Sequence, residues 1–115
     1  LKECVLASEI CLSVCTGSAL IARTGELDGL KATSNKRSLE WVKSCGKAVK
    51  WQERARWVRA GKFYTASGVA AGMDMALGFI SDHFGKELAQ KIANETEYNW
   101  QKSSKIDKFA KIYGY

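Results

Sequence analysis

The sequence predicts an α/β domain on a mostly parallel sheet, and three observations carry that expectation. Ile10-Cys11-Leu12-Ser13-Val14 is a near-continuous apolar run of strand length, the pattern of a strand covered on both faces. It stops at Cys15, and from Gly17 to Arg23 the residues become small and helix-compatible, giving strand, tight turn and helix in succession. From Ser67 onward the apolar spacing is helical. A length of 115 residues, 46% hydrophobic and 26% charged, is that of one soluble globular core.

The elements follow in order. Gly25 stops the first helix as a C-terminal cap. A turn at Asp28-Gly29 leads to a short extended piece, Lys31-Ala32-Thr33, and then to a short helix from Ser38 to Cys45. That helix has Leu39, Val42 and Trp41 on its apolar side and ends at Gly46. Val49 to Trp51, Ala55 to Arg59 and Phe63-Tyr64-Thr65 read as strands, the last two joined through Ala60-Gly61 as a hairpin. Val69, Met73, Ala76, Leu77, Ile80 and Phe84 form a stripe of helical period closed by Gly85. Leu88, Ala89, Ile92 and Ala93 mark a second helix, and beyond Trp100 only Ile106, Phe109 and Ile112 offer a core face. A strand buried on both faces needs neighbours on both sides, yet one short element precedes Val14. Residues 1–115 therefore read as the C-terminal half of a single larger α/β domain, its other half lying elsewhere.

Several function classes fall away. No apolar stretch approaches the roughly 20 residues of a bilayer span. Leu1-Lys2-Glu3-Cys4 lacks a basic leader region, so the chain reads as internal or trimmed, and cytoplasmic. A net charge of +6 permits a polyanionic partner. The densest basic stretch, Lys50, Arg54, Arg56, Arg59 and Lys62, is interleaved with Trp51 and Trp57. Strand alternation puts Arg56 with Val58 on one face and Ala55, Trp57 and Arg59 on the other, so these charges read as solvated strand edges and not as a nucleic-acid groove. Cysteines at 4, 11, 15 and 45 contain no C-x-x-C pair and His83 is the single histidine, a poor supply for zinc. No metal and no cofactor are expected, and the thiols read as reduced.

Ser13-Val14-Cys15-Thr16-Gly17 has the logic of a nucleophile elbow. Ser13 and Gly17 leave space for a Cys15 held at positive φ. A thiol at a helix start faces unpaired N–H groups, surroundings that favour its nucleophilic form, and the Thr16 amide is placed to donate to an oxyanion. The same spacing suits a small buried cysteine of no special reactivity equally well. His83, on the polar side of its helix, reads as a surface residue.

Ser-Val-Cys-Thr-Gly-Ser-Ala-Leu-Ile-Ala, then Gly25, Leu27-Asp28-Gly29 and Lys31-Ala32-Thr33, and later Gly61-Lys-Phe-Tyr-Thr-Ala-Ser-Gly-Val-Ala-Ala-Gly-Met-Asp-Met-Ala-Leu, strongly resemble the ThiJ/PfpI family of the class I glutamine amidotransferase-like superfamily. The likeness covers about residues 10 to 98. It implies the C-terminal half of a flavodoxin-like three-layer sandwich, with Cys15 as nucleophile or oxidation-sensitive thiol and Thr16 as oxyanion donor. It places Gly17 and Asn35 as candidate substrate-pocket residues and makes Ser67-Gly68 and Asp74 mainly structural. Protease and glyoxalase-like members carry His where this chain has Thr16. The Cys-Thr-Gly form is similar to isocyanide hydratase-like proteins and to the amidotransferase-like domain of some AraC-type regulators. In the former the thiol attacks an isonitrile carbon and water releases a formamide. The Ala-Thr-Thr-His-Trp of that branch stands here as Ala32-Thr33-Ser34-Asn35-Lys36. The resemblance further implies an acidic residue from an early strand, upstream of Leu1, without which the site is incomplete. The expectation is a cysteine-dependent hydratase or hydrolase for a small molecule, in a homodimer, needing the missing half of its fold. A non-catalytic redox or stress sensor and an intracellular protease or amidase are the alternatives. The hairpin around Trp51 and Trp57 is a candidate dimer surface, with Trp41 and Trp100 equally open to core or interface.

Overall fold

The computed structural model describes residues 1–115. In chain order its elements are α1 (Lys2–Ala7), β1 (Cys11–Ser13), α2 (Gly17–Arg23), β2 (Lys31–Ala32), a 3₁₀ turn (Lys36–Ser38), α3 (Leu39–Cys45), β3 (Lys50–Trp51), β4 (Trp57–Ala60), β5 (Phe63–Ala66), α4 (Val69–Phe84), α5 (Lys86–Glu95) and α6 (Lys108–Ile112). The breaks fall where glycine takes backbone that other residues resist. Gly25, Gly61 and Gly85 have φ of +85°, +59° and +103°, closing α2, turning the β4–β5 hairpin and separating α4 from α5.

β5 lies at the centre of a three-stranded sheet in the order β1-β5-β4. It pairs with β1 in parallel, Leu12 opposite Tyr64, and with β4 antiparallel, Ala60 opposite Phe63. All four β5 residues are buried, and their side chains alternate between two cores. Phe63 packs with Val5, Ile21, Ala22, Leu27, Ala32 and Val49, beneath α2 and the parallel β2–β3 pair. Tyr64 and Ala66 pack with Trp57, Ala71 and Met75 under α4. Helices thus cover both faces, the α/β layering the sequence predicts.

Four expectations are corrected by the packing. β1, not β5, was to be the doubly covered strand; instead β1 is an edge, and Leu12 and Val14 are each 41% exposed. α4 buries Ala71, Gly72, Asp74, Met75, Leu77 and Gly78, whereas Val69, Met73 and Phe84 of the predicted stripe are exposed. The reason is close approach: a Cβ on Gly78 would lie 3.0 Å from Trp57 Cζ2 and one on Gly72 2.7 Å from Val14 Cγ1, so the small side of the helix faces the sheet. In the tail Ile106, Phe109 and Ile112 point outward, and Asp107 and Ala110 are the buried residues. Among the tryptophans, Trp57 is buried, Trp51 is half-buried, Trp100 is half-buried with its indole N–H donating to Asp74 O at 3.3 Å, and Trp41, open to either core or interface from the sequence, is exposed. The hairpin is therefore not an exposed Trp surface.

Candidate active site

Cys15 follows β1 at φ +59°, in the left-handed region that a side chain with a Cβ rarely occupies. Such a conformation costs about 1–3 kcal/mol and persists only where its surroundings over-determine it. Here they do. The Cys15 N–H donates to Ser67 O at 2.8 Å, and Cys15 O accepts from Ser34 Oγ at 2.8 Å and from Ser18 Oγ at 3.5 Å. Small neighbours provide the room: Ser13 lies beneath the turn, 3.6 Å from where a Cβ on Gly17 would sit. The elbow is thus a strained bend pinned from two loops, with its thiol half-exposed.

Thr16 caps α2, and its N–H makes none of the backbone hydrogen bonds of the turns and loops. That leaves a donor directly beside the sulfur-bearing residue. Ser13 Oγ is buried without a partner next to the same turn. Among the other free thiols, Cys4 is exposed on α1, and burial pushes the Cys11 thiol up while the Lys62 ammonium pulls it the other way. A raised thiol is a poor nucleophile at neutral pH.

Asn35 caps the 3₁₀ turn, its side chain accepting from Ser38 N at 3.2 Å. It lines a cavity of about 260 Å³ together with Arg37, Ser67, Gly68, Phe109 and Tyr113. Neither Cys15 nor Gly17 lines that cavity; Gly17 stays with the elbow, and Ser67 is the residue the two regions share. His83 is exposed, its ring 3.2 Å from Tyr64 Oη, and it makes no contact with the elbow. Tyr64 is pushed up to about 12 by its burial and by its hydrogen bond to Asp82 at 2.7 Å.

The sequence reading missed a buried polar cluster behind the elbow. Lys36 and Asp107 have side chains 1% exposed, 3.4 Å apart. Lys36 Nζ also donates to Ala55 O (2.6 Å), Thr33 Oγ1 (2.9 Å), Ser34 O (3.2 Å) and Ser67 Oγ (3.2 Å). Burial holds the Lys36 ammonium below its ordinary range, against the opposing pull of Asp107. Arg56, expected to be solvated, has its side chain 13% exposed and bonds Asp74 Oδ2 at 2.7 Å, with Asp107 Oδ1 at 3.7 Å. Asp74 also accepts from Gln101 N, a structural role in keeping with the expectation for it. Only Asp107, an Asp before a short helical run, carried a sequence signal, that of an N-cap; its side chain accepts from Phe109 N.

No protein-family model matches the chain. It is 34% identical over 86 residues to isonitrile hydratase of Pseudomonas putida, covering 75% of this chain and 36% of that protein. It is 35% identical over 81 residues to the HTH-type transcriptional regulator GbdR of Pseudomonas aeruginosa, covering 70% of this chain and 22% of that one. Among solved structures, a ThiJ/PfpI family protein from Pseudomonas syringae superposes with a TM-score of 0.69 at 30% identity, over 82% of this chain and 38% of that chain. Oxidized DJ-1 of Toxoplasma gondii, at 23% identity and a TM-score of 0.63 over 79% of this chain and 47% of that one, shares the fold. The chain therefore spans about a third of the hydratase and less than half of either structure. The elbow motif, the flavodoxin-like layering and these likenesses agree: over the part of their length that it spans, the chain resembles proteins of the ThiJ/PfpI family in sequence and fold.

Proposed function

We propose that this chain carries the thiol-bearing part of a cysteine-dependent hydratase or hydrolase for a small molecule, of which an isonitrile is the best candidate. The left-handed Cys15 carries the reading, because strain of that kind at a half-exposed thiol beside a free amide has no packing purpose of its own. The isonitrile is taken from the likeness to the hydratase. In the reading, Cys15 Sγ bonds to the terminal carbon of R–NC and the thiol proton ends on that carbon, giving S–CH=N–R. Water then adds, the C–S bond breaks, the thiol regains its proton and R–NH–CHO leaves. The Thr16 N–H stabilises negative charge as the S–C bond forms.

No carboxylate hydrogen-bonds Cys15, so the group that positions water must come from elsewhere. The bare edge of β1 and its half-exposed Leu12 and Val14 support a further part of the same fold as its source, because parallel strands are ordinarily covered. Peptidase or amidase chemistry is disfavoured by Thr16 in the place of a histidine and by the engagement of His83 with Tyr64. The free thiols favour a reducing, cytoplasmic setting, and a homodimer is carried from the family likeness.

A ligand-sensing role without turnover is the second reading, favoured by the likeness to the regulator and by a cavity that does not include Cys15. The deciding test joins this chain to the part of the fold that covers β1 and follows an aliphatic isonitrile by NMR. Formamide that disappears in Cys15→Ala supports the hydratase. Formamide that persists in Cys15→Ala ends it, and saturable binding with no formamide favours the sensor.

A further inference from the structure

We infer that the buried Lys36–Asp107 pair positions the Cys15 elbow, and that the C-terminal segment carrying Asp107 is thereby a working part of the site. The inference deepens the nucleophile reading and rests on it. Two loops pin Cys15: Ser67 through its carbonyl to the Cys15 N–H, and Ser34 through its hydroxyl to the Cys15 carbonyl. Lys36 Nζ grips both of those residues, at Ser67 Oγ and at Ser34 O. Asp107 closes the arrangement, accepting from the Ser67 hydroxyl and facing Lys36.

The geometry is over-determined in the way a strained residue needs. An ammonium has three protons, and Lys36 Nζ has five oxygen partners from four loops within reach, so it is caged and not merely paired. Asp107 is held in turn, since its N–H donates to Arg54 O at 2.9 Å and its Oδ1 accepts from Phe109 N at 3.1 Å. The preceding stretch is fixed by Arg56 N and Trp57 N, which donate to Ser104 O at 2.7 and 3.2 Å. Release of the tail would therefore free Ser67, loosen the 33–36 loop and let Cys15 relax, with no change in any group that touches the sulfur. Lys36 and Asp107 are positioning residues, acting through Ser34 and Ser67.

The test uses the 115-residue chain and measures iodoacetamide labelling of each cysteine by mass spectrometry as a function of pH. Exposed Cys4, on α1, serves as the internal reference. Asp107→Asn cuts the hub, while Ser67→Ala and Ser34→Ala are milder and each cut one arm; circular dichroism reports folding. Each folded variant is expected to lower the Cys15-to-Cys4 labelling ratio roughly tenfold or more and to displace the pH profile of Cys15 alone. Ser34→Thr, which keeps the hydroxyl, restores the ratio. A folded Asp107→Asn with the wild-type ratio overturns the inference, as do Ser67→Ala and Ser34→Ala if both keep it; should Asp107→Asn not fold, the two serine variants decide. Failure of the nucleophile reading looks different: there the wild-type chain labels Cys4 ahead of Cys15, whatever the variants do.

Discussion

On the β4 side of the central strand, Trp57 is 7% exposed against α4, and the buried charges there, Lys36 with Asp107 and Arg56 with Asp74, are paired. On the β1 side, Leu12 and Val14 are each 41% exposed, Met73 and Val69 of α4 are exposed as well, and no strand pairs with the outer edge. The Cys15 elbow straddles this difference. Ser67 and Ser34, the two residues that pin the Cys15 backbone from loops, are both gripped by the Lys36 cluster of the closed flank, and α2 adds Ser18; in the proposed reading the group that would complete the chemistry lies on the open flank. In that reading the chain supplies a held thiol, and a further part of the fold supplies the group that works with it.

The largest expected effect falls on the closed flank. Lys36→Met leaves the Asp107 carboxylate buried without its ammonium and should cost about 3–5 kcal/mol in urea unfolding. Lys36→Met combined with Asp107→Leu should lose less than either alone, since no charge is then stranded. A single variant as stable as the wild type would show that the cluster is not closed.

Alkaline unfolding sharpens the same contrast. Tyr64, under α4, is raised to about 12 by burial and by Asp82, from 10.0 in an ordinary setting. A raised phenol holds its proton in the fold, so its contribution is whole below pH 10 and fades as pH climbs to 12. The loss across that window is roughly 2–3 kcal/mol, and Tyr64→Phe should abolish that component of the pH dependence. An identical alkaline slope in both proteins would place the origin elsewhere.

Two glycines on one helix give the smallest and most pointed comparison. Gly78→Ala puts a methyl 3.0 Å from the Trp57 ring, which is walled in, and should destabilise by about 1–3 kcal/mol. Gly72→Ala meets Val14 methyls at 2.7 and 2.9 Å, closer on paper, but Val14 is half-exposed and can turn aside. The gain in helix propensity of about 1 kcal/mol should then leave Gly72→Ala within about 1 kcal/mol of wild type. If the order is reversed, the β1 flank is as rigid as the β4 flank.

Much of this was legible in the sequence because it rests on local backbone chemistry. Gly25, Gly61 and Gly85 each sit at a positive φ where the reading placed a stop or a turn, and Ser13 and Gly17 flank Cys15 for the steric reason that identified the elbow. Periodicity served less well. Val69, Met73 and Phe84 of the α4 stripe are exposed and only Leu77 of it is buried, because glycine and alanine let Trp57 and the sheet approach the other side of the helix more closely. The Lys36 cluster was illegible for a different reason: a lysine in a run of Ser, Asn and Arg reads as solvent-facing, and its partner Asp107 arrives from the far end of the chain. Arg56 was misread likewise, since strand alternation says nothing of the Asp74 carboxylate that a later helix lays over it.

The account turns on Cys15 being the reactive sulfur, and the most direct measurement is the site of covalent attack. The 115-residue chain is incubated with an aliphatic isonitrile, quenched in acid, digested and mapped by mass spectrometry. The account predicts the mass of one isonitrile on the Cys15 peptide and none on Cys4, although Cys4 is the more exposed thiol. Modification at Cys4 with an untouched Cys15 peptide would contradict it.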